Sequence, residues 1–108
     1  MSNLNKENIV GMSNAAIVQA LGLQYRTYRL QAHLTQQEVA TRAGVSLLTL
    51  QNFERGQSTN ITMGNLLALL RVVEQLAPIA DILPDIPISP YDLRKNNRPP
   101  QRIRKPLC

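Results

Sequence analysis

The chain has 108 residues, 44% of them hydrophobic and 4% aromatic with no Trp, enough for one small core built from Leu, Ile, Val and Ala. That length excludes a two-domain enzyme on a cofactor fold. Apolar runs of only a few residues exclude a membrane-spanning helix, and a single cysteine, Cys108, excludes an internal disulfide or a Cys-rich zinc site. The polar N-terminus lacks the apolar stretch of a secretory signal, so the expectation is a reduced, cytoplasmic protein.

The net charge of +5 is unevenly placed. Arg94, Lys95, Arg98, Arg102, Arg104 and Lys105 fall in the last fifteen residues with no acid among them, which leaves six basic against seven acidic residues before them. Residues 23–60 carry +2 and residues 61–93 carry −3. A polyanion such as DNA is drawn to the first zone and the tail and repelled by the middle; the alternative for the tail is a solvated, solubilising run.

In chain order, residues 1–12 are polar and aperiodic and are expected to be disordered. Ser13 is placed to cap a helix whose inner face is Ile17, Leu21, Tyr25, Tyr28 and Ala32, mildly weakened by Gly22. Thr35 opens a second helix as a capping box with Glu38, with Val39, Ala40 and Ala43 inward, and Gly44 ends it. Ser46 caps a third helix that turns Leu50 and Phe53 inward and stops at Gly56. Thr62 caps a fourth, with Leu66, Leu69, Leu70, Val73 and Leu76 at helical spacing. Pro78 suits the first turn of a short fifth helix, residues 79–83. Pro84, Pro87 and Pro90 follow, Ser89-Pro90 can start one more turn reaching Arg94, and residues 96–108 read as disordered.

Residues 35–56, TQQEVATRAGVSLLTLQNFERG, place two short helices around the tight corner Ala43-Gly44-Val45. Ala40 is small where the second helix of the pair crosses it, and Val45, Leu50 and Phe53 lock the pair to the rest. This is helix-turn-helix spacing, and a helix so presented fits the major groove of DNA. No paired carboxylates, metal-ligand cluster or glycine-rich phosphate loop accompanies it, so neither a catalytic nor a metal site is expected, and no cofactor. His33 has no ligand partner nearby in sequence.

The segment resembles the XRE, or Cro- and lambda-repressor-like, transcriptional regulators. The resemblance is carried by Arg29, Leu34-Thr35-Gln36, Val39-Ala40, Ala43-Gly44-Val45-Ser46, Leu50, Phe53-Glu54-Arg55-Gly56 and the Leu-rich helix after Thr62, over residues 17–83. It implies an all-α, five-helix lambda-repressor-like DNA-binding domain at residues 13–86, between the N-terminal segment 1–12 and a Pro-punctuated basic tail 87–108. It also implies roles. Gln36 grips a phosphate at a helix N-terminus. Ser46, Leu47, Leu48, Gln51 and Asn52 form the exposed face of the recognition helix, where Gln51 and Asn52 can pair with an adenine edge. Arg29 and Glu54 form a structural ion pair. Arg42 and Arg55 are either phosphate contacts or solvated charges. Leu47 and Leu48 depart from the hydrogen-bonding residues many relatives carry there; they either meet thymine methyls in an A·T-containing site read partly by shape, or contact a protein partner.

The fourth helix carries more apolar residues than one face needs. Leu67, Val72, Ile79, Ile82, Leu83 and Ile86 are therefore expected to form an isologous homodimer interface that sets two recognition helices on successive major grooves. The reading is a sequence-specific repressor acting as a homodimer on a palindromic operator in double-stranded DNA. The Pro-punctuated end also resembles the small antitoxins partnered with HipA-like kinase toxins, which implies the alternative of an autoregulating antitoxin in a toxin–antitoxin system.

Overall fold

The computed structural model describes residues 4–58 and 60–87, and within them the chain is all-helical. Four α-helices follow one another: α1 (Asn14–Gln31), α2 (Gln36–Ala43), α3 (Leu47–Glu54) and α4 (Met63–Val72). Two 3-10 turns, Ile9–Gly11 and Ala77–Asp81, flank them. The expected turn at Ser89-Pro90, the basic tail from Arg94 onward and Cys108 lie outside the described residues.

Each α-helix begins at a hydroxyl. Ser13, Thr35, Ser46 and Thr62 accept from the backbone N–H of Ala16, Glu38, Thr49 and Asn65 at 3.0–3.1 Å, satisfying donors that have no partner inside the helix. Each helix ends the same way. The N–H of Leu34, Val45, Gln57 and Gln75 reaches back to the carbonyl of Arg29, Ala40, Asn52 and Leu70, respectively, at 2.8–3.2 Å. The residue before each donor is left-handed: His33 (φ 61°), Gly44 (φ 73°), Gly56 (φ 74°) and Glu74 (φ 60°). The Glu74 closure stops α4 at Val72 and leaves Leu76 beyond it.

The fifth helix expected at residues 79–83 is instead the 3-10 turn Ala77–Asp81, closed by Ile79 N–H to Leu76 O (2.9 Å) and Ile82 N–H to Ile79 O (3.1 Å). Pro84 disfavours helical backbone at Leu83, which keeps the segment from extending into an α-helix. Ahead of α1, the aperiodic polar stretch is shaped by its own side chains. Asn5 Oδ1 accepts from the N–H of Glu7 (2.9 Å) and Asn8 (2.8 Å), and the turn Ile9–Gly11 follows.

The core is Tyr25, Val39, Ala40, Leu50, Phe53, Leu69 and Val73, with Val18, Leu21, Val45 and Leu66 packed around it. α1 packs on α3, and α2 on both α3 and α4. The inner face of α1 is rotated from the apolar stripe read in the sequence: Gly22, Tyr25 and Arg29 are buried, whereas Tyr28 is 38% exposed and Ala32 lies at the exposed C-terminal cap. One reason lies at Gly22. A Cβ there would stand 1.7 Å from the carbonyl oxygen of Phe53, so α1 and α3 approach backbone to backbone, and only a residue without a side chain fits between them.

Candidate nucleic-acid interface

The corner between α2 and α3 is held at both sides. The hydroxyl and carboxylate of Thr35 and Glu38 cap each other's backbone, with Thr35 N–H donating to Glu38 Oε1 at 2.8 Å. These bonds, the backbone one foremost, hold the Glu38 carboxyl below the usual carboxylate range. Gly44 turns the chain with left-handed backbone that a side chain would strain. Ser46 then caps α3 and donates its own hydroxyl proton to Thr49 Oγ1 at 2.7 Å.

α3 is anchored along one side by Leu50, Phe53 and Glu54, all buried. Of the residues assigned to its outer face, Leu48 is 62% exposed, and Gln51 and Asn52 are half-buried, with side-chain amides that make no hydrogen bond among the described residues. Leu47 stands apart from Leu48: it is half-buried and packs against the core. Arg55 is exposed at the end of α3.

Beneath this surface Arg29 and Glu54 form a bidentate pair, and hydrogen bonding to Glu54 raises the Arg29 pKa above its already high value. Gln36 joins them, donating from Nε2 to Glu54 Oε1 at 3.1 Å. Its side chain thus fastens the start of α2 to α3, a role no spacing rule in the sequence exposes. The N–H groups of Gln36 and Gln37, at the first turn of α2, have no intrahelical partner. Arg42 is exposed in the last turn of α2. It lines a notch between α2 and α4 together with Arg71.

Residues 26–74, from within α1 to just past α4, match a helix-turn-helix family model. These residues belong to the XRE-type helix-turn-helix family. The XRE-type domain places the chain among DNA-binding transcription regulators, and the family is not one of enzymes. No curated protein matches the chain. Of the residues assigned to DNA contact, Gln36 to Arg55 all fall inside the XRE-type segment; of the six assigned to a dimer interface, Leu67 and Val72 do, and Ile79 to Ile86 lie beyond it. Among the described residues, no helix is long and apolar enough to cross a membrane, and no cluster of three or more His, Cys, Asp or Glu could hold a metal ion.

Proposed function

We propose that the protein is a repressor that binds a palindromic operator in double-stranded DNA as a homodimer. The observation that carries this reading is the division of α3: Leu50, Phe53 and Glu54 fix it to the core, while Leu48 stays exposed and Gln51 and Asn52 are only half-buried, their side-chain amides unengaged. In the major groove, Gln51 and Asn52 pair with adenine edges and Leu48 meets thymine methyls, which favours A·T-containing half-sites. Ser46 positions α3 through its cap. Leu47 contributes at the groove edge only with the part of its side chain that the core leaves uncovered. The open N–H groups of Gln36 and Gln37 receive a backbone phosphate, and Arg55 a second one.

A second subunit doubles this contact. Leu83 and Ile86, 86% and 83% exposed, are among the most exposed apolar residues, and Leu67, Val72, Ile79 and Ile82 are the others assigned to the contact. A two-fold axis then sets the two α3 helices on half-sites about 34 Å apart. Occupying such a site at its own promoter, the dimer blocks transcription.

Footprinting on the DNA upstream of the coding sequence tests this. The expected result is two protected half-sites about one turn apart, with affinity that falls steeply as salt rises. Protection that is absent, or an affinity indifferent to salt, overturns the reading.

A further inference from the structure

We propose that the notch between α2 and α4 receives residues 81–86 of a second copy of this chain, and that two such contacts, made reciprocally, close the dimer. The inference rests on the dimeric reading above and names the surfaces that meet. The notch is floored by Gly64, Leu67, Ala68 and Val72 and rimmed by Arg42 and Arg71. A Cβ on Gly64 would meet nothing within 4 Å, so the floor is open. Neither arginine makes an ion pair among the described residues.

Residues 81–86, Asp-Ile-Leu-Pro-Asp-Ile, have the opposite character. Leu83 and Ile86 are almost fully exposed, and Asp81 and Asp85 are exposed without an ion-pair partner among the described residues. Two cations beside an apolar floor thus face two anions beside apolar side chains. Pro84 fixes its own φ and narrows its neighbour's choices, which reduces the entropy lost when the segment docks.

The segment's own notch is turned away from it. Ile79 and Ile82 lie in a groove formed with Leu66, Leu70 and Val73, whereas Gly64, Leu67, Ala68 and Arg71 lie about half a turn around α4. The chain therefore leaves its 3-10 turn on the side of α4 opposite the notch. A second copy presents the same segment with no such constraint. Because each subunit offers one notch and one segment, a two-fold arrangement satisfies both and stops at two subunits.

Sedimentation equilibrium on the full chain tests the proposal without DNA. The wild type is expected to be a dimer. R42E/R71E and D81K/D85K each set like charges against one another, and each is expected to raise the dimer dissociation constant about a hundredfold. Mixed one to one, the two variants are expected to recover wild-type dimerisation, because every notch in the heterodimer then meets a segment of opposite charge. The quadruple variant is expected to dimerise alone. Circular dichroism confirms folding; were R42E/R71E to misfold, D81K/D85K and the quadruple variant still decide. A wild-type dimer whose variants dimerise equally well overturns the notch and leaves the dimer standing. A monomeric wild type overturns both.

Discussion

Arg29 and Glu54, twenty-five residues apart in sequence, close on each other inside the protein, Nε to Oε2 at 2.7 Å and Nη2 to Oε1 at 2.8 Å, with both side chains almost free of solvent. The third arm of the guanidinium donates to the carbonyl of Leu34 at 2.9 Å, and Gln36 adds a donor to the carboxylate at 3.1 Å. The pair therefore ties α1 and the entry to α2 to the last turn of α3. It fixes the angle at which the outer face of α3 meets whatever it binds.

Breaking that pair from one side strands a buried charge. Arg29→Met or Glu54→Leu alone is expected to cost about 3–5 kcal/mol, and the double replacement less than either single one. Urea denaturation of the three variants measures this. Additive losses would show that the two residues act independently.

Tyr25 donates its hydroxyl to the carbonyl of Leu69 at 2.7 Å, one of the carbonyls left over at the end of α4. Burial, first, and then the Glu54 carboxylate push its pKa well above its ordinary value, against a smaller opposing effect of Arg29. The folded state thus keeps the proton longer than the unfolded chain. Stability is complete below the unfolded pKa near 10 and is lost as pH rises beyond it. The urea midpoint is expected to fall from pH 10 upward. Tyr25→Phe should flatten that fall and cost about 1–3 kcal/mol at neutral pH, because a buried carbonyl loses its donor.

Two helical glycines give opposite outcomes. At Gly22 an added methyl group runs into the Phe53 carbonyl, which is backbone and cannot move aside, so Gly22→Ala is expected to destabilise by about 2–3 kcal/mol. At Gly64 the space within the subunit is open, and Gly64→Ala is expected to stabilise the subunit fold by up to about 1 kcal/mol through helix propensity. Thermal melts rank the pair, and equal effects would contradict the close crossing of α1 and α3.

His33 holds left-handed backbone at the end of α1, where a side chain costs roughly 1–2 kcal/mol. Glycine removes that cost and returns part of it through the looser unfolded chain. His33→Gly is expected to raise stability by about 0.5–1 kcal/mol, read as a higher urea midpoint with an unchanged slope.

Gln51→Ala removes an amide from the outer face of α3 and leaves its buried side untouched. On a cognate site it is expected to weaken binding by about 1–3 kcal/mol, measured by fluorescence anisotropy, with the urea midpoint unaltered. Undiminished affinity would take Gln51 out of the interface.

Local chemistry wrote much of this fold into the sequence. Ser13, Thr35, Ser46 and Thr62 start their helices because a hydroxyl beside free N–H groups needs no distant partner, and Gly44 turns the corner because its backbone cost is its own. Leu50 and Phe53 declare their burial by spacing alone. What the tertiary structure decided lies wherever one segment's environment is supplied by another. Gly22 marks the crossing of α1 and α3 because the Phe53 carbonyl comes to it. The inner face of α1 turns toward Arg29 because Glu54 waits there. Gln36 leans on the same carboxylate, and Arg42 and Arg71 share a rim because α2 packs on α4. Helices end at His33 and Glu74 without glycine, and the fifth helix shortens to a 3-10 turn between prolines. Caps and apolar periods act within a few residues and can be read along the chain. Close crossings and shared charges depend on distances that exist only once the chain has folded.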